Sequence, residues 1–104
     1  MTTINLPLQS ATGPAHVVKA EIVDVAPHLA HVATFAVHQI PKGTWARDLY
    51  DYLYRISNVE TGACISACDS KTRAGCIKVA RSYLADKTED EMQEAMERTI
   101  KEIK

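Results

Sequence analysis

Around Asp69 and Ser70 the spacing of apolar residues changes period, and this change constrains the fold more than any other feature of the sequence. Before it, apolar and β-branched residues alternate, or run together in short stretches bounded by turns. After it, they recur every third or fourth residue in two stretches separated by a break near Asp86 and Lys87. A period of two belongs to strands and a period of 3.6 to helices. Strands joined by short connections pair antiparallel, and helices that follow them stack on one face of the sheet. The change of period therefore predicts an α+β layer fold.

The individual elements follow from local patterns. Thr2–Gly13 is polar, with Pro7 inside it and Pro14 just beyond, and reads as an extended arm or edge segment. His16–Val25 reads as a strand, with Val18, Ala20 and Ile22 on one side and Lys19 and Glu21 on the other. Ala26-Pro27-His28 breaks it. Ala30–Gln39 reads as a second strand. Its two faces, His31/Ala33/Phe35/Val37 and Ala30/Val32/Thr34/Ala36, carry no charged residue, so it is expected at the sheet centre, covered on both sides.

Ile40–Thr44 has turn composition. The stretch that follows fits both periods. Trp45, Leu49, Tyr52, Leu53 and Ile56 are spaced as on a helix, whereas Tyr50, Tyr52, Tyr54 and Ile56 alternate. We divide it into a short helical turn over Thr44–Asp51 and a strand over Leu53–Val59. Glu60-Thr61-Gly62 is a hairpin loop with its glycine in the left-handed position, and Ala63–Ala67 is the returning strand.

Ser70 is the expected N-cap of a helix over Lys71–Ala85. Cys76, Ile77, Val79, Ala80, Tyr83 and Leu84 fall on one arc of that helix, with Lys71, Lys78 and Arg81 opposite. A second helix opens on the capping box Thr88–Glu91 and carries a narrow stripe of Met92, Ala95, Met96, Thr99, Ile100 and Ile103. Glu94/Arg98 and Glu97/Lys101 are spaced for i,i+4 pairing. The expected fold is a four-stranded antiparallel sheet with two C-terminal helices on one face, in the order β-β-(short α)-β-β-α-α. It forms one domain over residues 1–104, with 1–13 as the arm.

Composition narrows the class. The chain is 46% hydrophobic and 24% charged, a globular balance that excludes disorder over most of its length. No apolar run approaches the roughly 18–20 residues of a membrane helix. Met1–Ser10 has neither a basic stretch nor an apolar one, so no signal peptide is expected. The odd number of cysteines, Cys64, Cys68 and Cys76, points to reduced thiols and a cytoplasmic location. Twelve basic residues against thirteen acidic ones give a net charge of −1, unlike a strongly basic nucleic-acid binder. The charge is segregated, however. Residues 70–87 carry Lys71, Arg73, Lys78, Arg81 and Lys87 against Asp86 alone, between two acidic regions.

Several groups could carry chemistry. Cys64 and Cys68, four apart on one strand, would share a face, with Cys76 on the buried arc of the following helix. They read as small apolar fillers between sheet and helix, the alternative being a zinc site completed by His38. His28 and His31 lack the i,i+4 helical spacing of a metal pair. His31 and His38, seven apart, fall on opposite faces of their strand. Trp45, Tyr50, Tyr52 and Tyr54 form the densest aromatic group in the chain, flanked by Arg47 and Arg55. Tyrosine and tryptophan dominate interface hot spots, so Trp45, Arg47, Tyr50 and Tyr52 are the candidate contacts for a protein partner. Lys71, Arg73, Lys78 and Arg81 are the alternative, a phosphate-gripping face for nucleic acid. Met92, Met96 and the two-sided strand would also support a homodimer. No Ser/His/Asp arrangement, carboxylate pair or glycine-rich phosphate loop stands out, so neither an enzyme nor a bound cofactor or metal is expected.

Two segments carry resemblances. Tyr54–Ile65 followed by Ser70-Lys71-Thr72-Arg73-Ala74 is similar to a hairpin-then-helix pattern in short accessory proteins of phages, plasmids and other mobile elements, some of which inhibit host defences. It covers about a third of the chain and implies a bacterial or mobile-element binding protein. The same Ser70–Ala74 stretch resembles the strand-to-helix junction of a double-stranded-RNA-binding domain, whose lysines touch phosphates. Thr72 and Gly75 stand where that pattern has lysines, and no helix precedes the sheet here.

Overall fold

The strands lie in space in the order in which they occur in the sequence. β1 (Thr3–Pro7), β2 (Val17–Val23), β3 (Phe35–Gln39), β4 (Tyr54–Asn58) and β5 (Cys64–Ser70) form one antiparallel sheet, each pairing with the next. A short helix, α1 (Trp45–Tyr50), connects β3 to β4, and α2 (Arg73–Leu84) and α3 (Glu89–Ile103) follow β5. These elements belong to a computed structural model that describes residues 2–8, 17–40 and 45–103. The α+β architecture, the antiparallel sheet and the two C-terminal helices are as expected.

The sheet has five strands rather than four. The fifth is the first part of the N-terminal arm, where Ile4, Leu6 and Leu8 alternate with Thr3, Asn5 and Pro7. Leu6 and Leu8 are buried beside Ala20 and Ala36, with Ile4 and Val18 packed against them. Pro7 ends the strand at the sheet edge, where a missing N–H costs no ladder bond. The remainder of the arm and the turn at residues 41–44 lie outside the described residues.

β3 is the middle strand and is buried on both faces, as its lack of charge implies. Phe35 and Val37 enter the core under the helices, and Ala36 and His38 are buried on the far face. It begins at Phe35, not at Ala30. Pro27–Leu29 forms a 3-10 turn, continued by a bond from Ala33 N to Leu29 O of 2.9 Å. That turn buries Leu29 and Ala33 in the main core. The apolar run at 25–33 thus closes the end of the core, as short apolar runs can in either conformation. His31 sits in this turn and is not on a strand at all.

A bulge corrects the expected placement of the cysteines. Tyr54 pairs with Ser70 and Ile56 with Ile65, so β5 spends five residues where β4 spends two. Three extra residues invert the side-chain alternation. Ile65 and Cys68 therefore both pack on the core under the helices, while Cys64 packs on the opposite face with Leu6 and Ala36.

β5 runs on to Ser70, which is a strand residue. The N-cap of α2 is Thr72, whose hydroxyl accepts from Gly75 N at 3.0 Å. A Cβ on Gly75 would meet the Ser70 and Thr72 hydroxyl oxygens, each at 2.7 Å, so a larger residue here would displace both hydroxyls, including the one that caps the helix. α2 buries Cys76, Ala80 and Leu84 and packs on β5, β4 and β3. α3 opens on the expected capping box, Thr88 Oγ1 accepting from Glu91 N and Glu91 Oε1 from Thr88 N. It packs on the 3-10 turn instead of lying flat on the sheet. Met92 and Met96 are half-buried against the main core, so part of the surface offered to a second copy is used within the chain.

Candidate functional site

α1 and the chain that leaves it form an exposed aromatic platform. The helix stops at Asp51, whose φ of 58° is left-handed, a conformation that aspartate tolerates better than most residues. The reversal folds Tyr52 back along the helix, and its ring stacks on Tyr50 with centroids 5.9 Å apart and planes at 25°. Leu53 follows, and its backbone is fixed on both sides. Leu53 N donates to Ser70 O at 3.0 Å, and Leu53 O accepts from Ile40 N at 2.8 Å. The platform is therefore anchored to the ends of β3 and β5. Leu49 keeps 63% of its surface exposed, Tyr50 47% and Leu53 39%. Tyr54 points the other way, into the main core. Of the four expected contacts, Tyr50 and Tyr52 are brought together. Trp45 and Arg47 lie on the same helix, and their side chains are outside the described part.

The basic residues of α2 meet a different fate. Lys78 and Arg81 are exposed along the helix, and Lys71 is exposed in the turn before it. Arg73 forms an ion pair with Glu21 on β2, so one of the four expected cations ties the helix to the sheet. Lys87 is turned onto the Tyr83 ring, with Nζ 5.1 Å from its centroid.

A buried polar cluster escaped the sequence reading. His38 Nδ1 lies 2.8 Å from Gln39 O, and a carbonyl can only accept, so Nδ1 carries the proton. His38 Nε2 then accepts from Ser57 Oγ at 2.7 Å. This is the polarity of an activated serine, but Ser57 is 0% and His38 3% exposed, which leaves no room for a substrate. Burial pushes the His38 pKa below its usual value, against the raising effect of the Gln39 carbonyl, and the Arg55 charge lowers it further. Arg55 is His38's cross-strand neighbour and grips Asp69 with two bonds of 2.7 Å. The cluster thus stitches β3, β4 and β5 together. Ser57 lies nineteen residues from His38, and only strand register brings them into contact, so no sequence motif marked the pair.

Two of the three thiols, Cys68 and Cys76, share the main core, and Cys68 acts on Cys76 electrostatically. Burial pushes Cys68 up to about 11 and Cys76 up to about 12, which keeps both protonated and unreactive at neutral pH. Cys64 is on the other face, and His38 is engaged by Ser57. Among the described residues no three His, Cys, Asp or Glu side chains gather as metal ligands. No described helix is long and apolar enough to cross a membrane.

No family model, curated protein or solved structure matches this chain. Its surfaces carry the functional reading.

Proposed function

We propose that this chain is a small non-enzymatic binding protein that docks onto a protein partner through the α1 platform, in the manner of an accessory or inhibitory factor. The observation that carries this reading is the exposure of Leu49, Tyr50 and Leu53 within five consecutive residues, with Tyr50 already stacked on Tyr52. Rings held in place before contact lose little side-chain entropy on binding, and tyrosines are favoured hot-spot residues. Trp45 and Arg47, on the same short helix, complete the proposed contact set. The sealed Ser57–His38 pair and the protonated buried thiols favour binding over catalysis.

The test is to capture the partner with the wild-type chain, identify it by mass spectrometry, and titrate it against Tyr50→Ala. The variant is expected to bind at least about tenfold more weakly, a loss of about 1.4 kcal/mol or more, with an unchanged melting temperature. Equal binding by the variant overturns the reading. So does a collapse in melting, which would make Tyr50 a core residue.

A further inference from the structure

Among the described residues, the helices cover only part of one face of the sheet. α2 packs on β5, β4 and β3. β1 and β2 extend beyond it, and their register pairs Thr3–Glu21, Asn5–Lys19 and Pro7–Val17 lie on that same face. All but Glu21 are exposed, and Val17 keeps 65% of its surface. An open ledge, polar at Thr3, Asn5 and Lys19 and apolar at Pro7 and Val17, therefore runs beside a helix. The flank of α2 carries a shallow groove lined by Arg73, Ala74, Ile77, Lys78, Arg81 and Ser82. Arg73 reaches across to Glu21, which fixes ledge and flank as neighbours.

Lys71 is exposed in the turn into α2, and Lys19 on the ledge and Lys78 and Arg81 in the groove lining are exposed cations at this corner. Glu21 also faces it and is engaged by Arg73. Asp24 and Asp86 come after the C-terminal ends of β2 and α2. Arg81 stands in the last turn of α2, where the helix dipole favours positive charge, but helix stability does not account for the charge at the other end. α2 has no acid in its first turn, and Lys71 and Arg73 stand where the helix dipole disfavours positive charge.

We propose that the ledge and the α2 flank bind the phosphodiester backbone of a duplex nucleic acid. Lys19, Lys71, Lys78 and Arg81 neutralise phosphates, and Asn5 and Thr3 supply neutral hydrogen bonds to the same backbone. No aromatic residue is among the described residues that form the ledge and the groove, so bases have no platform to stack on, and a single strand is the poorer ligand. This inference is independent of the α1 platform and uses other residues.

The test is fluorescence anisotropy of the full chain with a duplex DNA, a duplex RNA of the same sequence, and one of the single strands. We expect a Kd on the order of 10 µM for a duplex at about 50 mM salt, weakening about 60-fold by about 200 mM, a log–log slope of about −3. Arg81→Glu should lower affinity at least about tenfold, whereas Arg98→Glu, the same charge change on α3, should leave it within about twofold. Lys78→Gln, a milder change, should reduce the slope by about one. A preference for duplex DNA or for duplex RNA supports the proposal and assigns its source. Absence of duplex binding, equal losses in the two arginine variants, tighter binding of the single strand, or polyglutamate competing as well as duplex would each overturn it.

Discussion

The two C-terminal helices solve the problem of stability in opposite ways. α3 is mostly exposed, and its local chemistry is favourable throughout. It has a reciprocal capping box, Glu89, Asp90 and Glu91 in its first turn, and a Glu94–Arg98 pair at i,i+4. Each of these contributes a few tenths to about 1 kcal/mol to a helix that tertiary contacts support weakly. α2 contradicts the same rules. It contains Gly75, lacks an acid in its first turn and begins beside two bases. It can do so because Cys76, Ala80 and Leu84 are wholly buried on the sheet. Packing that outweighs local preference leaves the outer face of α2 free to carry charge for another purpose. α3 has no such freedom.

The largest effect should come from removing that packing. Leu84→Ala should cost about 3 kcal/mol and lower the melting temperature by more than about 10 °C. Met96→Ala, at a half-buried position on α3, should cost about 1 kcal/mol. Equal losses in thermal denaturation would mean that α3 is as deeply committed to the core as α2, and the contrast between them would fail.

Acidification separates the sheet beneath α2 from the acids of α3. Burial lowers the folded pKa of His38 below its usual 6.5. In the unfolded chain the imidazole takes up its proton near pH 6.5, while in the folded chain it resists until lower pH. The unfolded state thus binds more protons in this window. Stability is complete above about pH 6.5, falls as the pH drops toward the folded value, and is constant in this respect below it. Urea denaturation between about pH 7 and 5 should follow this fall in the wild type and lose it in His38→Asn. A wild-type profile as flat as that of the variant would remove His38 from the account.

The difference between the helices was partly legible in the sequence. Period, capping box and charge order identified α3 with its correct start, because its capping and ion-pair interactions are between residues three or four apart. The basic stripe of α2 was legible for the same reason, but its hydrophobic arc is narrower than the spacing implied: Cys76, Ala80 and Leu84 are buried, while Val79 and Tyr83 at its margin stay exposed. The N-cap of α2 was not legible, since Ser70 and Thr72 both have capping side chains and only the length of β5 decides between them. β5 itself hid the most. A bulge of three residues cannot be read from the spacing of Cys64 and Cys68, yet it sends them to opposite faces. The Ser57–His38 contact and the open ledge beside α2 depend on strand register, which sequence periodicity leaves undetermined. Tyr50 and Tyr52 were identified from density alone. Their stacking required the left-handed turn at Asp51, a residue that signalled only charge.

The smallest effect probes the comparison most directly, because it asks whether the charge at the start of α2 is a cost. Lys71→Glu places an acid just before the helix and should stabilise the fold by about 0.5 kcal/mol, while Asp90→Lys in the first turn of α3 should destabilise it by a similar amount. Both positions are exposed, so neither substitution disturbs packing. Chemical denaturation at low salt should give shifts of opposite sign, and both should shrink as salt screens the dipole. If Lys71→Glu instead destabilises, Lys71 has a structural partner and is no cost to the helix. If it stabilises while weakening duplex binding, the chain gives up stability at this position in exchange for a charged surface, a trade that α3, with its weaker anchorage, could not make.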